Sequence, residues 1–186
     1  MRLPLVALAG LTLAGCLDFR KVDDAKAPGD MLGTYDVAGK LATSTCGEGA
    51  LGAGKTWNFQ IKLTRQANDI YWLNGQETLV GDIANDGRSF SIQSGVQVVV
   101  SQPGRGQPGC MINRRDDADG KLSDSGTDVE SFDGTLDFSY EVAKGSDCSD
   151  WIGTEGAVSV IPCSIGYALD GRRSGAAPEA PKAPKD

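Results

Sequence analysis

The stretch Trp57-Asn58-Phe59-Gln60-Ile61-Lys62-Leu63-Thr64 decides the fold class. Its large apolar side chains alternate with polar ones. A period of two sends Trp57, Phe59, Ile61 and Leu63 to one face of a strand and their neighbours to the other. The same alternation recurs in Leu136, Phe138, Tyr140 and Val142, and in Phe90, Ile92, Val96, Val98 and Val100, with Ser94 in the same phase. Tyr35, Val37 and Leu41 repeat it more weakly, with Gly39 in phase. Toward the end of the chain Val158 and Val160 share one phase, while Cys163, Ile165, Tyr167 and Leu169 take the other. A bulge at Ile161-Pro162 is the expected way to join them in one last strand, because proline cannot donate to a ladder.

Turn chemistry separates these runs. Asn74-Gly75 lies between two apolar stretches, Asp86-Gly87 precedes the Phe90 strand, and Asp119-Gly120 and Asp133-Gly134 supply positions that tolerate positive φ. About eight strands follow, and no stretch repeats with the 3.6-residue period of a helix, so βαβ winding is excluded. The expectation is an all-β domain, one antiparallel meander closing as a small up-and-down barrel, with a two-sheet sandwich as the alternative and no substantial helix. In size and one-sided alternation the chain is similar to small barrels of the lipocalin or avidin type, an analogy of architecture without a shared motif. In such a meander the segments around Cys46, Cys110 and Cys148 come to one end, with Cys163 in the last strand, and the Gly-rich connections 47–54 and 101–109 lie at that same end.

Composition narrows the function. The 186 residues contain no histidine, which removes His-dependent triads, His-containing zinc sites and the imidazole pH switch. Glycine, at 25 residues, is abundant but without a triplet period, as in turn-rich globular sequence. A net charge of −7 repels phosphate backbones, so nucleic acid is not an expected partner.

Met1-Arg2 is a short basic start, and the apolar run 3–13 has the size of the core of an export signal, too short for a membrane-spanning helix. It ends in Leu13-Ala14-Gly15-Cys16, which resembles the lipobox of bacterial lipoproteins. The resemblance covers only these first sixteen residues. It implies lipid transfer to the Cys16 thiol, cleavage after Gly15, and acylation of the new amino group with a chain such as palmitate. Two or three acyl chains hold a protein stably on a membrane without a transmembrane helix. Leu17, where many Gram-negative lipoproteins retained at the inner membrane carry Asp, favours the outer membrane of the cell envelope. Four regions are therefore expected: a cleaved signal peptide 1–15, a lipidated and flexible tether 16–30, a domain 31–173, and a disordered Ala, Pro and Lys tail 174–186.

Cleavage leaves Cys46, Cys110, Cys148 and Cys163, an even number in an oxidising compartment, which reads as two disulfides with three pairings open. A Cys₄ metal site normally shows two close pairs, which are absent here, so no metal is expected at the cysteines.

Two motifs invite chemistry. Gly49-Ala50-Leu51-Gly52-Ala53-Gly54-Lys55-Thr56 matches the phosphate-binding P-loop in full, yet the P-loop needs a helix after the lysine, and here a strand begins. It reads as a chance match in a flexible connection. Asp116, Asp117, Asp119, Asp124, Asp128, Glu130 and Asp133 crowd one region and raise a calcium hypothesis. The EF-hand frame fails there, since aligning Gly120 puts Arg115 at the first ligand, and a solvated acidic hairpin is the simpler expectation.

No catalytic motif and no cofactor fingerprint appears. Pro162-Cys163-Ser164-Ile165-Gly166 lacks the first glycine of a nucleophile elbow. Tyr35, Trp57, Phe59, Trp72 and Tyr140 are the candidate lining of a ligand cavity, with core packing as their other use. The sequence thus points to a non-enzymatic binding lipoprotein, its partner an envelope protein or a small ligand. A lipocalin-like carrier of an apolar ligand and an envelope hydrolase using paired carboxylates are the alternatives.

Overall fold

The computed structural model describes residues 27–175 apart from 76, 105, 107, 155 and 156; the expected signal peptide and lipidation site at Cys16, most of the expected tether and nearly all of the expected tail lie outside the described residues. Eight strands follow one another: β1 (Asp30–Ser44), β2 (Thr56–Gln66), β3 (Asp69–Leu73), β4 (Thr78–Ile83), β5 (Ser89–Ser101), β6 (Cys110–Leu122), β7 (Ser131–Val142) and β8 (Cys163–Arg173). Each pairs antiparallel with the next, and β8 returns to β1, so the meander closes as a barrel and not as a sandwich. One three-residue 3₁₀ turn, Ala50–Gly52, is the only helical element among the described residues.

The alternation read from the sequence becomes the inside of the barrel. Tyr35 lies opposite Ile61, Leu63 opposite Trp72, Ile92 opposite Ala118, and Leu136 opposite Tyr167, so one phase of every strand faces inward. At the end where β1 begins and β8 finishes, Phe132 meets Tyr35, Trp72 and Phe90 edge-on with ring centroids 5.5–6.1 Å apart. Inward-facing glycines make the room: a Cβ on Gly171 would fall inside the Phe132 ring and one on Gly120 inside the Phe90 ring. Leu32, Leu122 and Val129 seal this end with no exposed area, and the buried Tyr35 hydroxyl sits within bonding distance of the carbonyls of Val129 (2.8 Å) and Leu32 (3.2 Å).

The other end carries the staples. Cys46 pairs with Cys163 and Cys110 with Cys148, which selects one of the three possible connectivities. Both bonds tie long connections to strand ends. The connection 143–162 packs Trp151, Ile152 and Ile161 beside Cys110, Ile112 and Cys148. Here the expected last strand is corrected. Residues 158–162 are not strand, and β8 starts only at Cys163, after a cis Ile161-Pro162 bond. Ser159 donates both its N–H and its hydroxyl to the Cys46 carbonyl at 2.7 Å, which holds this stretch on the 45–55 connection instead of in the ladder. Val158 is buried there and Val160 exposed, so the two do not share a face as a single strand phase required.

Candidate functional site

The barrel wall is not of uniform height. β3 has 5 residues and β4 has 6, against 13 in β5, so at about 3.3 Å per residue the β3–β4 hairpin ends far below its neighbours. The cause is local. Asn74-Gly75 reverses the chain directly after Leu73, Gly75 takes φ 90°, and the turn is tied by Asn74 Oδ1 accepting from the Glu77 N–H at 3.1 Å. Pairing of β2 with β3 stops at Lys62↔Leu73, and pairing of β4 with β5 stops at Gly81↔Ile92. Above those pairs residues 57–61 of β2 and 93–101 of β5 have only β1 and β6 as strand neighbours, and the barrel opens sideways between them.

That opening exposes an inner wall that would otherwise be core. It forms a cleft of about 320 Å³ whose apolar lining is Trp57, Phe59, Trp72, Leu79, Ile92 and Phe138. The rings make a continuous aromatic surface: Trp57 and Phe59 have centroids 4.4 Å apart, Phe59 stacks on Trp72 at 6.2 Å, and Trp57 meets Phe138 at 6.2 Å. Trp57 is 41% exposed, although its phase is the core phase, because β3 stops short of it and leaves that side of the ring uncovered. Val96 and Val98 share the inward phase of β5 and are exposed for the same reason.

Polar groups converge on one side. Arg114 and Asp116 occupy inward positions of β6, between Ile112 and Ala118 of the same phase. Arg114 Nε and Nη2 donate to Asp116 Oδ1 and Oδ2, each at 2.8 Å, in a bidentate fork. The guanidinium carbon lies 5.5 Å from the Phe138 centroid, a cation–π contact. The Asp116 side chain is only 14% exposed. Gln60, Asn74, Glu77 and Ser94 complete the polar lining. A second hollow of about 300 Å³ shares Trp57, Arg114 and Phe138 with the first and adds Tyr140, Tyr167 and the Gly-rich connection. Burial pushes the Tyr140 phenol above its ordinary pKa, the strongest of the influences on it.

Of the five candidate lining residues, Trp57, Phe59 and Trp72 line the first hollow and Tyr140 the second. Tyr35 does not line either. It is fully buried at the closed end, where its hydroxyl meets backbone carbonyls and its ring packs on Phe132. The P-loop-like stretch forms a wall of the second hollow as a connection with Gly49 and Gly52 at positive φ, and it runs into β2, so no helix N-terminus follows Lys55.

The acidic region is likewise divided differently from expectation. Asp116 turns into the barrel on Arg114, and Asp117 faces out on Arg115 at 2.9 Å, because successive strand residues point to opposite faces. Among the described residues no three carboxylates or thiols gather as metal ligands. Arg114 and Asp116 are the site residues that charge counting hid. The signal was present in their phase, shared with Ile112 and Ala118.

No family model, no curated protein and no solved structure matches this chain.

Proposed function

We propose that this protein is a membrane-anchored envelope lipoprotein that works without catalysis, as a binding protein holding a small, largely apolar molecule in its side-opening cleft. The observation that carries the reading is the aromatic wall of Trp57, Phe59 and Phe138 backed by the buried Trp72, all inward in phase, with Trp57 exposed and Phe59 and Phe138 only partly buried. Ligand sites are concave, mostly apolar and provided with a few convergent polar groups, as this cleft is with Arg114 and Asp116. The anchor is compatible with that use. Thirteen residues lie between Cys16 and Asp30, where β1 starts at the closed end, and fourteen fully extended residue steps reach about 50 Å. A lipid on Cys16, favoured at the outer membrane by Leu17, then attaches to the closed end, and the tether leaves room for the cleft to stand clear of the bilayer.

The test is a native mass spectrum of the full chain exported with Cys16→Ser, which removes the lipid and leaves the disulfide cysteines. A small adduct that is lost on denaturation is the expected result. A bare protein mass in both states argues against a resident ligand.

A protein partner is the second reading, and one observation favours it. From Ser94 to Ser101 the open edge of β5 holds no charge and no proline, and Val96, Val98 and Val99 are exposed along it. Edges without such guards accept an added strand. A photo-crosslinker at Gln97 that captures one envelope protein in cells would support this reading.

A further inference from the structure

We infer that the cleft selects uncharged planar molecules and rejects anions, with Asp116 as the residue that sets this preference; the inference rests on reading the cleft as a ligand site. The planar part follows from the lining. The apolar wall is mainly aromatic, and a conjugated body gains ring contacts there that an aliphatic one does not.

The charge preference follows from the polar side. Among the described residues Arg114 is the one cation of the lining, against the two carboxylates Asp116 and Glu77. Two of the five guanidinium N–H groups are committed to Asp116, and the other three have no partner among the described residues. A neutral acceptor such as a carbonyl, ether or ring nitrogen can use those donors without disturbing the pair. An anion faces a different cost. To gain Arg114 it must draw the guanidinium off Asp116, leaving a carboxylate that is only 14% exposed without its counter-charge. If the pair stays intact, the anion meets two carboxylates in a partly dry cleft. Asp116 therefore acts as a filter: it cancels the positive charge while leaving hydrogen-bond donors in place.

Two fluorescent probes separate these terms. N-phenyl-1-naphthylamine and 8-anilinonaphthalene-1-sulfonate share an anilinonaphthalene body and differ by the sulfonate. With the full Cys16→Ser chain, the neutral probe should bind at least about ten-fold more tightly than the sulfonate. Asp116→Asn should tighten the sulfonate about ten-fold and move the neutral probe by less than about three-fold, since only the charge is removed. Near-UV circular dichroism checks that this variant keeps its packing. Should it fail to fold, Glu77→Gln on the exposed turn is the substitute, with about a three-fold tightening of the sulfonate alone. Equal affinity of the parent for both probes, or an equal shift of both in the variant, overturns the filter and leaves the carrier reading standing. Binding of neither probe overturns both.

Discussion

Phe132 and Phe138 leave the same strand on the same face, six residues apart, and meet opposite fates. Phe132 is 1% exposed inside a ring cluster, while Phe138 stands half-buried in the cleft under a guanidinium. Both are inward phenylalanines, so strand phase does not separate them. What differs is the wall across the barrel, which is complete at the closed end and cut down by the short β3–β4 hairpin at the other. The two ends are also held differently. The closed end relies on packing around glycines, and the open end on two disulfides, together with the packing of Trp151 and Ile152, that fix its connections.

The largest expected effect breaks the closed end. Phe132→Ala should cost about 3–5 kcal/mol in urea unfolding, as large-to-small changes in a filled core do, whereas Phe138→Ala should cost no more than about 1–2 kcal/mol. The phenotypes should then cross over, with Phe138→Ala losing the neutral probe at least about ten-fold and Phe132→Ala, while still folded, keeping it. Equal stability losses in the two variants would mean that the upper half is core and not site.

The staples come next. Serine at both Cys46 and Cys163 should cost about 2–4 kcal/mol, because it releases a closed loop. Their separation is 117 residues against 38 for Cys110 and Cys148, so loop entropy makes the second pair worth about 1 kcal/mol less. Denaturant curves of the two double variants check the order. A larger loss from Cys110 and Cys148 would show that the connection 143–162 is held mainly by its staple and not by Trp151 and Ile152.

The smallest effect is read with pH. Burial pushes the Tyr35 phenol up to about 12, ahead of the opposing influence of Arg173. In the unfolded chain the phenol ionises near its ordinary value of about 10, so between pH 10 and 12 the unfolded state binds fewer protons than the folded one. The stabilisation is complete below pH 10 and lost as pH rises through 12, and it amounts to roughly 2 kcal/mol. Tyr35→Phe lacks this proton and should show a shallower loss of stability in that window, although its stability at neutral pH falls with the two carbonyl hydrogen bonds. Identical slopes for the two proteins would place the Tyr35 hydroxyl in water.

Much of this contrast was legible in the sequence, and part of it was not. Alternation in β2, β5, β7 and β8 fixes the class because a period of two has only one reading, and the four cysteines that remain once Cys16 is set aside imply two bridges. Alternation says nothing of what stands opposite a residue. Trp57, Val96 and Val98 carry the core phase and are exposed, since burial depends on the height of strands far away in the chain. Tyr35 failed as a lining residue for the same reason, its phase being right and its level wrong. Arg114 and Asp116 were hidden by their charge, which suggests a wet face until the mutual neutralisation of the pair is seen. Pro162 marked an irregularity, but only the Ser159 bonds to Cys46 show that the strand ends there instead of bulging.

The most direct test of the account is the change in ¹H–¹⁵N spectra when the neutral naphthylamine is added to the Cys16→Ser protein. Amide shifts confined to 57–61, 72–74, 77–79, 92–98, 114–118 and 136–140, the segments around the cleft, are the predicted result. Shifts centred on Tyr35, Phe90 and Phe132, or spread over the outer faces of the strands, would contradict it.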